Sequence, residues 1–257
     1  MLHREILIES GFCVVRSGSG GNCTIIWDRY DIITIDFGIS AIKFQRKMSE
    51  LGLSERNISV FVTHEHSDHS SGLSAAARKL KADIYLREKT ALALNVEKYY
   101  RMNGETAIGN FLIRSYKIPH DAVDPVGYVI EYKGKKISIF SDMGHFPDDL
   151  IEPMSNSDIL ALESNHDVEM LRNGKYHEKL KKRILGPYGH LSNEQTGEAL
   201  TKIASGKSKI LLLHISRENN TPELALNHVK SFMDNRNLKY ASLECALQDT
   251  GSSCYEL

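Results

Sequence analysis

Histidine and aspartate residues are concentrated at positions 64–69, where the chain reads His-Glu-His-Ser-Asp-His. In a chain with 11 histidines, the pattern H-x-H-x-D-H is expected by chance only roughly 0.001 times, so this short motif carries little false-positive risk. It directly follows an apolar stretch with the character of a β-strand. A strand end fixes His64 and His66 two residues apart on one side, and a turn into a helix brings Asp68 and His69 towards a second point nearby. The spacing therefore predicts two adjacent metal cations.

Three other short motifs do not fit the chemistry that they resemble. Residues 18–21 are rich in glycine, but no G-K-[ST] follows them, and Cys23 replaces the last glycine of a dinucleotide fingerprint. The Asp-Phe-Gly at 36–38 has no kinase catalytic loop before it. A zincin helix would need histidine where Asp68 stands. The sequence therefore excludes a P-loop or Rossmann nucleotide-binding protein, a protein kinase and a zincin metalloprotease.

The elements that must position the motif alternate between strands and helices. Strands are predicted at residues 6–15, 23–27, 31–36, 58–63, 83–86, 111–118, 128–132, 136–140, 159–162, 209–214 and 240–245. Helices are predicted at residues 39–51, 71–80, 168–185, 193–205 and 222–235. Strands in both halves with helices outside them predict an α/β fold, a four-layer αββα sandwich of two facing sheets.

Composition indicates an ordinary globular protein. The 257 residues are 41% hydrophobic and 25% charged, and no linker-like stretch divides them, so we predict a single domain over 1–257. The net charge of −1 means that a nucleic-acid partner must meet a local basic patch. Oligomeric state is not predicted.

Location and redox state are also constrained by the sequence. No apolar run approaches the roughly 20 residues of a membrane span, and the first residues lack a signal-peptide pattern. We therefore expect a cytoplasmic protein without a membrane partner. The four cysteines form no C-x-x-C pair and are expected to be free thiols.

The motif order resembles that of the metallo-β-lactamase superfamily over nearly the whole chain. The positions that match the five family motifs in order are Asp36, then His64, His66, Asp68 and His69, then His120, Asp142 and His214. The resemblance implies one metal ion at His64, His66 and His120, a second at Asp68, His69 and His214, and a bridging carboxylate at Asp142. It places Asp36 behind the ligands, where it would orient them. Imidazole and carboxylate suit Zn²⁺ and Mn²⁺ alike, so both metals stay open.

Several of these candidate ligands also have an explanation that involves no metal. His120 could be a loop histidine, Asp142 a turn cap and His214 a buried core histidine. The role of His166 is open: it lies where a helix is predicted to begin, and capping by Asn165 or Asp167 is the simpler explanation of this tripeptide. Ordinary surface or core positions are expected for His3, His145, His177 and His228.

Four further segments resemble the YycJ (WalJ) group of this superfamily. They are residues 17–22, 161–167, 189–193 and 214–220. Members of the group are described as metal-dependent hydrolases with nuclease or exonuclease activity. The resemblance implies that Glu163 holds His190, whose imidazole donates a proton to the leaving oxygen, and it places Asp68 among the catalytic residues.

An anionic phosphodiester suits such a site electrostatically. Two divalent cations bring four positive charges, whereas Asp68, Asp142 and a bridging hydroxide bring three negative ones, so a positive excess remains. A metal-bound hydroxide is expected to attack phosphorus. The partner is expected to be a phosphodiester, most simply a nucleic acid.

Substrate contacts are assigned to polar residues near the motifs. The expected set is Arg217, Asn219, Ser19 and Asn22. Arg217 follows His214 by three residues, and its guanidinium can bind phosphate through two hydrogen bonds. A basic stretch at 175–183 could contact a phosphate backbone, or could simply be a solvated helix face.

Other activities on the same scaffold are possible. An acyl hydrolase, either a glyoxalase-II-like thioesterase or a lactamase-like enzyme, is the main alternative, and a small-molecule cyclic phosphodiesterase is another. Lactamases generally lack a carboxylate at the position of Asp142. A thioesterase has no obvious use for the pair of Glu163 and His190, because a thiolate leaves readily.

Overall fold

The computed structural model describes residues 9–257, so His3 and the first part of the strand predicted at residues 6–15 lie outside it. The strands of the described part are β1 (Gly11–Arg16), β2 (Cys23–Trp27), β3 (Asp31–Ile35), β4 (Asn57–Phe61), β5 (Asp83–Leu86), β6 (Tyr100–Arg101), β7 (Glu105–Ile108), β8 (Phe111–Lys117), β9 (Val126–Tyr132), β10 (Lys135–Phe140), β11 (Ile159–Glu163), β12 (Lys209–Leu213), β13 (Ser242–Cys245) and β14 (Tyr255–Glu256).

Most helices lie between these strands. They are α1 (Ala41–Glu50), α2 (Ser67–Ser70), α3 (Leu73–Lys79), α4 (Glu88–Ala93), α5 (Ile151–Met154), α6 (Val168–Asn173), α7 (Glu178–Ile184), α8 (Asn193–Ile203) and α9 (Pro222–Asn235), with a 3₁₀ turn at Asp148–Leu150. None of the described helices is both long and apolar enough to cross a membrane.

The strands of the described chain form two seven-stranded sheets. The first has the order β14-β1-β2-β3-β4-β5-β6 and the second the order β13-β12-β11-β10-β9-β8-β7. Each sheet is antiparallel on one side and parallel on the other, with β3, β4 and β5 parallel in the first and β10, β11 and β12 parallel in the second. The carboxyl ends of the parallel strands in each sheet therefore lie at one edge.

Three apolar layers hold the sheets and helices together. Inward-facing residues of both sheets, such as Phe61 and Leu211, form the core between them. Helix α1 packs on the outside of the first sheet through Phe44 and Met48, and helices α8 and α9 pack on the outside of the second, for example through Val229. The predicted αββα sandwich is confirmed.

The sequence predicted most of the larger elements closely. The helix predicted at 168–185 is, however, two helices, α6 and α7, and the helix predicted at 71–80 is preceded by the separate short helix α2. The short elements β6, β7, α4, α5 and β14 were not predicted. The single domain over 1–257 stays a prediction.

Candidate metal centre

The residues singled out from the sequence meet at the edge where parallel strands end. Asp36 directly follows β3 and His214 directly follows β12, while Asp142 lies two residues after β10. All three have positive φ angles, of 60°, 55° and 60° respectively, in the left-handed region that non-glycine residues rarely adopt. Backbone strain of this kind is concentrated at functional sites. The fold therefore holds the backbone of these three residues in a conformation that costs free energy.

Three imidazole nitrogens face one another in a first group, formed by His64, His66 and His120. The Nε2 atom of His64 is 3.1 Å from Nδ1 of His66, and Nε2 of His120 is 3.3 Å from the same Nδ1. Nitrogen ligands of one tetrahedral zinc ion stand roughly 3.3 Å apart. The Nδ1–H of His120 donates to the carbonyls of Tyr188 and Gly189, both at 3.2 Å, which leaves Nε2 free to bind a cation.

A second group consists of Asp68, His69 and His214. The Asp68 Oδ2 atom is 3.4 Å from Nε2 of His69 and 3.5 Å from Nε2 of His214. Helix α2 supplies Asp68 and His69 directly after the His64 loop, as the motif spacing predicts. His214 comes from the other sheet.

Asp142 lies between the two groups. Its Oδ2 atom is 3.2 Å from Nε2 of His69, and its carboxylate also falls within the same donor groups as His64 and His214. Oδ2 of Asp142 and Nε2 of His214 are buried without a hydrogen-bond partner among the described residues. Buried polar atoms are rarely left unpaired, so these atoms indicate that a cation completes the site.

A hydrogen-bond relay behind the ligands fixes two of the rings. The carboxylate of Asp36 accepts from Nδ1–H of His69 at 2.7 Å and from the backbone N–H and hydroxyl of Thr63 at 2.7 and 2.9 Å. The Thr63 hydroxyl in turn accepts from Nδ1–H of His64 at 2.9 Å. Both imidazoles thus turn Nε2 towards the site. The sequence analysis missed Thr63, although its position between the strand and His64 was a usable signal.

His214 is held by two residues that the sequence analysis also missed. Its backbone N–H donates to the Ser17 hydroxyl at 2.8 Å, and its carbonyl accepts from the Asn165 amide at 3.0 Å. Its Nδ1–H donates to Glu163 at 3.2 Å. The orientation of this ring therefore depends on two distant segments of the chain, around residue 17 and at residues 163–165.

Charge in the cluster favours cation binding. Four carboxylates meet here, and within residues 9–257 their ion pairs all go to histidines: Asp36, Asp68, Asp142 and Glu163. Burial opposes ionisation, but facing imidazoles hold the pKa of Asp142 well below its usual value. Burial and neighbouring rings lower the pKa of His64 and keep it neutral. Ionised carboxylates and neutral imidazoles are the forms that bind metals.

Two of the histidines carry the protons that balance this negative charge. Burial disfavours the charged ring of His214, yet the facing carboxylates of Asp142 and Asp68 raise its pKa to about 10. Asp36 and Asp142 raise the pKa of His69 in the same way. Cations placed among these carboxylates would replace the protons, so the donor set fits divalent metal ions.

Glu163 and His190 form a close pair beside the ligands. The Nδ1 atom of His190 donates to Oε1 of Glu163 at 2.7 Å and lies 3.5 Å from Asp142. Glu163 is fully buried, and its second oxygen accepts from the backbone N–H of Met143 at 2.8 Å. Although burial alone would raise the pKa of Glu163, the His190 imidazole lowers it to about 2. Burial disfavours the charged ring of His190, but the charge and hydrogen bond of Glu163 together with the charge of Asp142 raise its pKa.

The residues expected to contact substrate lie in different environments. Ser19 is exposed, and Arg217 forms an exposed ion pair with Asp249 at 2.8 Å. Asn22 is buried and turns its amide nitrogen to Nε2 of His69 at 2.9 Å, so it touches the ligands directly. Asn219 is only 1% exposed and packs against Gly174, so its expected contact with substrate is not possible in this conformation.

His166 and the basic stretch at 175–183 complete the comparison with the sequence. Asp167 caps helix α6 by accepting from the Met170 N–H at 2.7 Å, as the capping explanation expects. His166 itself is buried, with both ring nitrogens unpaired among the described residues. Burial lowers the pKa of His166 to about 4, so the ring is neutral. In the basic stretch, the guanidinium of Arg183 donates a hydrogen bond to the carboxylate of Asp121 at 3.0 Å.

The amino-acid sequence is similar to those of known proteins. A family model described as "Beta-lactamase superfamily domain" matches residues 33–215. The chain is 35% identical over 232 residues to a Streptococcus pneumoniae protein named exodeoxyribonuclease WalJ, covering 84% of this chain and 86% of that protein. It is 32% identical over 236 residues to a Bacillus anthracis protein named exodeoxyribonuclease YycJ, covering 88% and 89% respectively.

Solved structures share the fold at low sequence identity. The metallo-β-lactamase fold protein YhfI from Bacillus subtilis matches with a TM-score of 0.68 and 14% identity, over 96% of this chain and 99% of that one. A diphosphatase from the PhnP family matches with a TM-score of 0.66 and 17% identity, over 96% and 98%. With the metal-ligand pattern, the matching family model and relatives above 30% identity together, this chain belongs to the metallo-β-lactamase superfamily.

Proposed function

We propose that this protein is a binuclear metal-dependent phosphodiesterase that degrades DNA as an exonuclease. The observation that carries the proposal is the 2.7 Å contact between Glu163 and His190 beside the candidate metal ligands. This pair supplies an acid where a leaving oxygen needs a proton. The names of the WalJ and YycJ relatives support DNA as the substrate.

We assign seven residues to two metal ions. His64, His66 and His120 would hold one ion, Asp68, His69 and His214 would hold the other, and Asp142 would be shared between them. Bound divalent cations supply Lewis acidity, which activates water and withdraws charge from phosphoryl oxygens. Zn²⁺ and Mn²⁺ both suit these ligands, so the choice between them is left to reconstitution.

His190 then has a defined task. Glu163 occupies its Nδ1–H, so Nε2 is the ring atom that remains to donate a proton to the departing sugar oxygen. The buried carboxylate stabilises the imidazolium before transfer and fixes the direction of the ring. An alkoxide leaving group is strongly basic, so proton donation at this point lowers the barrier of phosphodiester cleavage.

The same pair argues against the acyl-hydrolase alternative. A thiolate departs without help from a proton donor, and a buried glutamate would be a costly addition to such a site. A small cyclic phosphodiester would also use His190, so only substrate comparison separates it from DNA. A DNA substrate is consistent with the cytoplasmic location expected from the sequence, which stays a prediction.

Substrate comparison tests the proposal. Protein reconstituted with Zn²⁺ or Mn²⁺ is incubated with 5′- or 3′-labelled single- and double-stranded DNA and RNA, with bis(p-nitrophenyl) phosphate and with a thioester. We expect mononucleotides to be released progressively from DNA and no thioesterase activity. Hydrolysis of bis(p-nitrophenyl) phosphate without release of nucleotides from DNA would favour a small-molecule phosphodiesterase instead.

A further inference from the structure

A basic cavity of about 430 Å³ is lined by Arg16, the residue directly before the loop at residues 17–22, which we call the glycine loop. Its charged lining consists of four cations and two carboxylates, namely Arg16, Lys43, Arg46, Lys47, Glu50 and Asp249. Cations therefore outnumber carboxylates in a chain whose overall charge is −1. The cavity is the kind of local basic patch that a nucleic-acid partner of such a chain requires.

Some of these cations have unused capacity to bind an anion. Within the described residues, Lys43 has no ion-pair partner, although its side chain is exposed on helix α1. Arg16 is mostly buried, and its Nε atom has no hydrogen-bond partner in the part of the chain that the structure describes. Its contact with Asp249, at 3.5 Å, is long for a charged hydrogen bond. An incoming phosphate would satisfy donors for which residues 9–257 supply no partner.

The glycine loop connects this cavity with the candidate metal centre. Arg16 immediately precedes Ser17, whose hydroxyl accepts from the backbone N–H of His214. Asn22, at the other end of the loop, contacts His69. Gly20 lies against the guanidinium, because a side-chain carbon there would stand 2.7 Å from Nη2 of Arg16. One short, well-packed loop therefore separates the cations from the metal ligands.

A second cavity of about 440 Å³ adjoins the first across the turn at Asp249 and Thr250, which line both. Its wall includes the apolar residues Ile215, Pro222 and Leu247. An apolar cavity beside a basic one matches the alternation of base and phosphate along a nucleic-acid strand. Arg217, which pairs with Asp249, borders this second cavity.

We infer that the basic cavity is a phosphate-binding subsite that holds the backbone of a single DNA strand away from the bond being cleaved. This inference rests on the proposed function. It assigns strand binding to helix α1 and Arg16 rather than to the basic stretch at 175–183. In that stretch Lys181 contacts the Arg172 carbonyl at 2.7 Å and Arg183 contacts Asp121 at 3.0 Å, and on α1 Arg46 is likewise paired with Glu50 at 3.1 Å. What favours α1 is the cavity that its cations share with Arg16, whose buried Nε has no partner among the described residues.

Paired alanine variants test this assignment. Lys43→Ala with Arg46→Ala removes two exposed cations from the cavity, and Lys179→Ala with Lys182→Ala removes two exposed cations from α7 as a matched control. Metal content and Tm are measured first, to show that both variants are folded and loaded. Steady-state constants are then measured on a twenty-nucleotide single strand and on bis(p-nitrophenyl) phosphate at several salt concentrations.

We expect the α1 variant to raise KM for the strand roughly tenfold and to reduce the salt slope of log kcat/KM by about 1.4, as the loss of two phosphate contacts requires. Its kcat and its hydrolysis of bis(p-nitrophenyl) phosphate should not change, and the α7 variant should behave like wild type. An unchanged KM and salt slope in the α1 variant, or an equal effect in the α7 variant, would overturn the subsite. Failure of the wild type to degrade DNA would instead overturn the proposed function.

Discussion

The orientation of most imidazoles in the candidate metal centre depends on a group behind the ring. Asp36 accepts from His69 and, through Thr63, controls His64. Carbonyl oxygens of Tyr188 and Gly189 do the same for His120. Each contact fixes the proton on the ring nitrogen that faces away from the site, so a lone pair is ready for a cation. Substitution of these supporting residues should therefore lower metal affinity nearly as much as substitution of the ligands themselves.

Asp36→Asn is expected to lower metal affinity about 10- to 100-fold, because the amide cannot replace the charge that holds Nδ1–H of His69. Competition with a chromogenic chelator measures the affinity. Asp28→Asn is the matched control, since Asp28 is a buried aspartate in the turn at the opposite end of β3. Equal loss of affinity in both variants would show a general defect in folding rather than a role for Asp36.

His190→Ala should keep the metals bound but lower kcat on DNA by about 10² to 10⁴-fold, the usual contribution of a general acid. Bis(p-nitrophenyl) phosphate should lose much less, because p-nitrophenolate leaves without protonation. Parallel assays on both substrates, with elemental analysis of each preparation, measure the difference. Equal losses on good and poor leaving groups would rule out proton donation by His190.

Short connections fix the ligands at the level of secondary structure. Helix α2 carries Asp68 and His69, and the backbone of Gly38 passes directly beneath it. A side-chain carbon at Gly38 would stand only 1.6 Å from the Asp68 carbonyl oxygen. The loop after β3 and helix α2 can therefore pack together only where the chain has no side chain.

Gly38→Ala should displace α2 and thereby weaken both protein stability and metal binding. The expected loss is about 1–3 kcal/mol of unfolding free energy, the usual cost of forcing extra atoms into a packed site. Gly206→Ala is the control, because the carbon added there meets nothing closer than 3.8 Å. Urea unfolding and metal titration of both variants check the expectation, and wild-type behaviour of Gly38→Ala would refute it.

The sequence predicted elements well where their hydrophobic pattern was regular, and less well where a glycine interrupts that pattern. Residues 168–185 have a continuous helical pattern, yet the chain breaks at Gly174 between α6 and α7. A side-chain carbon at Gly174 would meet the Asn219 amide at 2.5 Å. Gly174 is the C-cap of α6, and glycine is the usual stop signal after a helix, so this break was present in the sequence and the prediction of one long helix passed over it.

The metal centre joins the two sheets of the molecule. His64, His66, Asp68 and His69 follow β4 of the first sheet, whereas His120, Asp142 and His214 follow β8, β10 and β12 of the second. The candidate ligand positions could be named from the sequence because the motif at residues 64–69 is distinctive and the other three positions follow from the resemblance to the superfamily. Asp249 could not, since its partners Arg16 and Arg217 are 233 and 32 residues away.

Metal binding should therefore stabilise the whole fold. One metal ion at a thousand times its Kd would add about 4 kcal/mol, which for a chain of this length raises Tm by about 10 °C, and two ions would add about twice as much. Differential scanning calorimetry of metal-loaded and chelator-treated protein measures the shift. His64→Ala should lose most of it, and a Tm unaffected by metal or chelator would contradict a centre shared by the two sheets.

The most direct test of the central claim, that the clustered histidines and aspartates form a metal centre that cleaves DNA, is nucleotide release from end-labelled single-stranded DNA. The measurement compares wild-type protein reconstituted with Zn²⁺ or Mn²⁺ with Asp142→Asn prepared in the same way. We predict progressive release of mononucleotides by the wild type and a loss of at least about 10²-fold in the variant, because Asp142 lies between the two ligand groups. A metal-loaded wild type that leaves DNA intact, or an Asp142→Asn variant that degrades it at the wild-type rate, would contradict the claim.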